Sequence, residues 1–185
     1  MTAYHHGSLR GALLDEARRV LARDGLDGLT MRGLAKSLGV SHGAPRRHFV
    51  DRDALLDALV AAGFAELTAI IERSAVHEDS RARLVAYISG HMEFAKDNAA
   101  LMPIMFTTEP RDPMSPACQA AGGFFRRGRE LLGDNESGPP PALVYLLAAT
   151  TEGIASLATS GRLPSDRVHD VVDLAVEVLL PVIDG

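Results

Sequence analysis

Residues 30–49 read Thr30-Met31-Arg32-Gly33-Leu34-Ala35-Lys36-Ser37-Leu38-Gly39-Val40-Ser41-His42-Gly43-Ala44-Pro45-Arg46-Arg47-His48-Phe49. That order of small, apolar and turn-forming residues constrains the fold more than any other stretch of the chain. Thr30 suits the N-cap of a short helix with Met31, Leu34, Ala35 and Leu38 on its apolar face. Gly39 can adopt the left-handed backbone conformation that ends a helix abruptly. Val40 then plugs the corner, and Ser41 can cap a new helix running to about His48. The small side chain of Ala35 lets the two helices cross closely, and Phe49 closes the second onto its neighbours. Two short helices about such a corner form a helix-turn-helix; the same residues also suit a plain αα-corner.

The flanking segments are helical in period. Leu9, Leu13, Leu14, Ala17, Val20 and Leu21 predict a first helix near 8–24, capped by Ser8 and stopped by Gly25. Asp51 caps a long helix predicted from Arg52 to about Ala75. Farther on, helices are expected from Asp79 or Ser80 to Asp97, within 98–106, from Ser115 to Leu132, from Ala142 to Thr159 and from Ser165 to Ile183. Loops are expected at 107–113 and 133–141. No internal repeat or useful strand-period alternation appears. The expectation is an all-α chain of about nine helices: a helix-turn-helix head in 1–53, the long helix 52–75, and a helical body in 54–185.

The 185-residue chain has 46% hydrophobic and 23% charged residues, an ordinary globular balance. Its net charge of −5 is unevenly spread. Residues 1–53 hold nine Lys/Arg against six Asp/Glu, and the rest holds ten against eighteen. A basic head on an acidic body suits contact with phosphate at one end. One cysteine, Cys118, excludes an intramolecular disulfide and suits a reducing compartment. The N-terminus lacks the pattern of a signal peptide, and no apolar run is expected to reach the ~18 residues of a membrane span. A cytoplasmic protein is expected. Walker, G-x-S-x-G, G-x-G-x-x-G and H-E-x-x-H patterns are absent, so no catalytic residue, metal site or cofactor is expected.

Arg10, Leu13-Leu14, Ala17, Gly25, Leu29 to Arg32, Leu34-Ala35, Leu38 to Ser41, His48-Phe49 and Arg52 to Leu56 together resemble the DNA-binding domain of the tetracycline-repressor (TetR) family. The likeness runs from about Tyr4 to Phe64. Phe94-Ala95, Leu101-Met102, Met105-Phe106 and Glu152 to Ala155 resemble one C-terminal subclass, the one with a Trp/His-Gly motif. The resemblance implies a homodimer, a three-helix head on double-stranded DNA, and a body that dimerises and binds a small-molecule effector. It also implies repression by default. Two positions depart from the pattern: Arg46 stands where a tyrosine is usual, and Glu152 where the subclass carries histidine.

In a helix-turn-helix the second helix enters the major groove and its first residues reach base edges. Ser41 can cap and donate to phosphate, Gly43 permits close approach, and Ala44 or Pro45 can meet a thymine methyl. Arg46 or His42 is expected to read a base, Arg47 to contact backbone, and His48 to close the same DNA-facing segment. Arg10, Thr30, Arg32 and Arg52 stand at helix starts, where phosphate is favoured, whereas Arg18, Arg19 and Arg23 read as a solvated face. His5-His6 suit either an arm near DNA or a disordered end.

In the body, the helices over 142–159 and 165–183 are apolar on more than one side. They predict either an isologous four-helix interface, with heads roughly 34–36 Å apart, or burial within one chain. Met92, Met102, Met105, Phe106 and Cys118 are candidate effector-pocket residues, with His91, Tyr145 or Glu152 as polar anchors; helical Met and Phe stripes also serve as plain core. A helical ligand-binding or interaction protein without specific DNA recognition is the alternative function.

Overall fold

The computed structural model describes residues 9–107, 112–133 and 141–184. The expected Ser8 cap, the His5-His6 arm and most of the two expected loops lie outside the described residues. Among those described, the chain forms eight α-helices and no strand: α1 Leu9–Gly28, α2 Met31–Ser37, α3 Arg52–Ser74, α4 Ser80–Asp97, α5 Met102–Thr107, α6 Pro116–Leu131, α7 Ala142–Thr159 and α8 Val168–Ile183. Two 3-10 turns, Pro45–Arg47 and Ser165–Arg167, complete them. The all-α expectation holds.

Local chemistry sets the boundaries. The hydroxyl of Thr30 accepts from the Gly33 amide at 3.1 Å, so the predicted cap of α2 is formed. Asp51 accepts from Ala54 at 2.8 Å and Asp79 from Ala82 at 2.7 Å, capping α3 and α4. Gly39 ends α2 with φ +66°. Gly25, the expected stop of α1, has φ +70° and breaks the helix, but hydrogen bonding resumes through Gly28. The last helix begins at Val168, one 3-10 turn later than expected.

One expected helix is not there. Residues 42–48 wind as turns about the 3-10 segment Pro45–Arg47, with Ala44 donating to Ser41 at 2.9 Å, Arg47 to Ala44 at 3.2 Å and His48 to Pro45 at 3.0 Å. The reason is chemical: an α-helix starting at Ser41 needs an amide at residue 45, and proline has none. Gly43 adds a further cost to helical order. Ser41 therefore contributes its carbonyl to the turn, where a capping hydroxyl was expected.

The helices form two compact units, one within Met1–Gly63 and Ala100–Cys118, the other within Phe64–Ala99 and Gln119–Gly185. In the first, Leu13, Ala17, Val20, Leu21, Leu29, Leu34, Ala35, Phe49, Leu55 and Leu59 are buried. Gly63 meets Met105 so closely that a Cβ would lie 2.6 Å from its sulfur. In the second, α4 packs on α7 and α8, with Tyr87, Ile88, Phe94, Val144, Leu147, Ile154, Val176 and Leu179 in the core. Helix α3 contributes to both units.

Contrary to the expectation that no apolar stretch is long enough, α3 and α7 could each cross a membrane by length and composition. Half of the apolar window of α3, and a third of that of α7, is buried within the fold. That is the pattern of core helices for α3, whereas α7 keeps a large apolar side uncovered.

Gly39 and Gly43 separate backbone from steric effects, because a Cβ at either meets nothing within 4 Å. Only Gly39 has positive φ. Gly39→Ala should lower unfolding free energy by about 1 kcal/mol, whereas Gly43→Ala should stay within about 0.5 kcal/mol of the parent; urea unfolding followed by circular dichroism measures both.

Candidate functional site

The segment over 41–48, which the helix-turn-helix expectation assigns to base reading and which is termed the reading segment, is built outward from the corner at Gly39. Leu38 donates to Leu34 and Val40 to Ala35, both at 3.0 Å, which folds the chain back against α2. Pro45 and Phe49 are buried, and the Phe49 amide donates to the Pro45 carbonyl at 2.9 Å. With both ends of the segment anchored, Arg46, Arg47 and His48 between them are exposed, as are Ser41, His42 and Gly43; Ala44 is half-buried. The departure from tyrosine at position 46 thus places two adjacent guanidinium groups on one tight turn. In a three-residue winding, neighbours point about 120° apart, so the two guanidinium groups leave the turn in different directions.

Arg32 and Thr30 are exposed at the start of α2. Because the Thr30 oxygen accepts from Gly33, its hydroxyl hydrogen remains available to a phosphate. Arg10 is exposed and its guanidinium lies 5.3 Å from the centre of the Phe49 ring, a cation–π contact that ties α1 to the end of the reading segment. Arg52 was expected to face phosphate. Instead its Nε donates to the Leu29 carbonyl at 2.8 Å and its Nη2 to the Leu26 carbonyl.

A buried carboxylate escaped sequence reasoning. Glu16 sits on the apolar side of α1, accepts from the Ser37 hydroxyl at the end of α2, and pairs with Arg19. It joins the first two helices, and Arg19, exposed as expected, adds an ion pair to it from the solvated side. Its position one residue before Ala17, within the apolar stripe, was the available signal. Arg23 does lie on solvent, where its bond to Asp24 holds that carboxyl below the usual range.

The effector candidates fall into two groups. Met102 and Met105 are buried and Phe106 and Cys118 half-buried in the first unit. His91, Met92, Tyr145 and Glu152 belong to the second. There His91 is fully buried, with its Nε2 3.5 Å from Glu152 Oε2. Tyr87 meets the His91 ring edge-on at 5.9 Å. Burial, and secondarily the negative charge of Glu152, push the Tyr87 hydroxyl well above its usual value. Tyr145 is half exposed and packs on Phe125 at 5.1 Å, away from the role of a buried anchor. No group of three or more potential metal ligands occurs among the described residues.

The family model of bacterial regulatory proteins of the tetR family matches residues 13–59, from α1 through the reading segment into α3. Over 175 residues, 92% of each chain, the sequence is 37% identical to the HTH-type transcriptional repressor Rv1474c of Mycobacterium tuberculosis. The chain belongs to the tetR family. A protein of unknown function from Rhodococcus sp. RHA1 superposes on this TetR-family chain with TM-score 0.81 and 36% identity, covering 97% of both. The transcriptional regulator FadR from Bacillus subtilis, solved in complex with stearoyl-CoA, gives TM-score 0.73 over 91% of this chain and 96% of its own. At 15% identity that likeness speaks for the fold alone. The matched family is one of bacterial regulatory proteins and the Mycobacterium relative is a transcriptional repressor; this chain is a transcriptional regulator whose head keeps the corner of a helix-turn-helix, with a 3-10 winding in place of the second helix.

Two expected outcomes follow from local geometry. Thr30→Ala removes a cap and should cost about 1 kcal/mol in urea unfolding, most of which Thr30→Ser restores. Tyr87 has a raised folded-state pKa, so its contribution is complete below the unfolded value of 10.0 and is lost as pH rises through the folded value. The stability of the parent should therefore fall more steeply above pH 10 than that of Tyr87→Phe; parallel profiles would refute the burial argument.

Proposed function

We propose that this TetR-family regulator is a repressor that binds a palindromic operator in double-stranded DNA as a homodimer and leaves it when a small molecule binds the helical body. The observation that carries this reading is the exposed Arg46-Arg47-His48 turn held between buried Pro45 and Phe49. A segment anchored so firmly at both ends, yet polar and cationic between them, suits a rigid surface for the major groove. Arg46 or His42 reads a base, Arg47 contacts backbone, and Ser41, Gly43, Ala44 and His48 complete the surface. Thr30, Arg32 and Arg10 position the head on phosphate.

The homodimer rests on the outer sides of α7 and α8. Leu146 and Leu157 are exposed on one, and Leu174, Val178 and Val182 on the other, each of the last three more than 60% exposed. Leu174, Val178 and Val182 recur every four residues and form one stripe. Such a stripe is covered at low cost by its own copy about a twofold axis. For the effector, the polar group this reading favours is the pair of buried His91 and part-buried Glu152 between α4 and α7, with Met92 beside it in the same helix as His91. A ligand that orders or displaces this pair acts on the unit to which the second half of α3 belongs, and α3 continues into the head. The reading includes a cytoplasmic location and neither catalysis nor a bound cofactor.

Selection of duplexes from a random library by the purified protein tests the DNA reading. Enrichment of an inverted repeat is expected, and failure to enrich any sequence would refute it. On the enriched duplex, Arg47→Ala should weaken binding to all sequences and reduce the salt slope by about one. Arg46→Ala should relax preference at one base pair by roughly 1–3 kcal/mol. Leu174→Glu with Val178→Glu should convert the dimer to monomer in sedimentation at micromolar concentration.

A further inference from the structure

Arg52 opens α3 at the junction between the head and the long helix. Its guanidinium reaches back across the sequence to two carbonyls, one in the last turn of α1 and one just beyond its end. Nε donates to Leu29 at 2.8 Å and Nη2 to Leu26. The Leu26 carbonyl also accepts from the Leu29 amide at 3.2 Å, so it closes a turn and receives the arginine at once. That turn follows directly on Gly25, which at φ +70° breaks the helix one residue before Leu26. Carbonyls at a helix C-terminus carry partial negative charge and lack intrahelical partners, so a forked cation there is favoured.

We propose that Arg52 is a positioning residue for DNA binding, a latch that sets α3 against the α1–α2 corner, and that it does not contact phosphate. The Leu29 carbonyl belongs to the peptide that enters Thr30, and Thr30 caps α2. The latch therefore fixes the residue from which α2 starts. It also ties that residue to the first turn of α3, whose N-terminus Asp51 caps independently at 2.8 Å from Ala54. Two donors are needed at once, from one planar group. Arginine supplies this fork and lysine, a single rotating ammonium, does not. The inference rests on the DNA-binding reading above for its effect on affinity, but its geometry is internal to the head.

Arg52→Lys and Arg52→Gln separate latch from phosphate contact. A phosphate contact survives in Arg52→Lys, while Arg52→Gln flattens the slope of log K against log salt by about 0.9. A latch is lost in both. Both variants should then bind the library-selected duplex roughly five- to tenfold more weakly, with the salt slope unchanged and binding to a random duplex of equal length little altered. Amide hydrogen exchange without DNA supplies the second readout. Peptides covering 26–38 should exchange faster in both variants than in the parent, and those covering α7 should not. Near-parental affinity of Arg52→Lys, a reduced slope in Arg52→Gln, or unchanged exchange over 26–38 would each overturn the latch. If no duplex is selected at all, the regulatory reading fails while the exchange comparison still decides the latch, and Arg52→Lys decides it if Arg52→Gln does not fold.

Discussion

The left-handed backbone at Gly39, sealed by the bond from the Val40 amide to the Ala35 carbonyl, is the contact on which the head depends. It stops α2 after two turns and returns the chain across the small side chain of Ala35. The returning segment is then short enough for Pro45 and Phe49 to share one apolar core with Leu13, Ala17 and Leu34. A larger side chain at residue 35 would push the segment off that core. A residue reluctant to adopt positive φ at 39 would let α2 continue. Everything exposed between Pro45 and Phe49 takes its direction from this arrangement.

The head is stitched by polar contacts as well as by its core. Glu16 reaches Ser37 from α1 to α2, Arg10 lies over Phe49, and Arg52 holds the turn that Gly25 creates. Each joins elements distant in sequence. A buried carboxylate is destabilising unless its oxygens are satisfied, and Glu16 has two donors. Such contacts add uniqueness to a core that is small by itself. They also explain why α3, which starts within this network, has a defined orientation at its first turn.

Much of this was legible in the sequence because it is local. The caps at Thr30, Asp51 and Asp79, the breaks at Gly25 and Gly39, and the bounds of α7 depend on neighbouring residues, and they appear as expected. The capping pattern at Ser41 predicts a helix over the reading segment, but the missing amide of Pro45 leaves a 3-10 winding there instead. Partners across the fold were out of reach. Arg10, Arg32 and Arg52, each at a helix start, look alike in sequence, and only the bonds from Arg52 to the Leu26 and Leu29 carbonyls set it apart. His91 and Glu152 lie 61 positions apart, and their approach to 3.5 Å follows from how α4 packs on α7.

Hydroxyl-radical footprinting of the parent protein on its selected duplex shows whether a pair of such heads presents its anchored Arg46-Arg47 turns to successive major grooves of one DNA face. Two protected blocks with centres about 10 base pairs apart, or a multiple of that, are predicted. A single block, or protection spread evenly along the duplex, would contradict it.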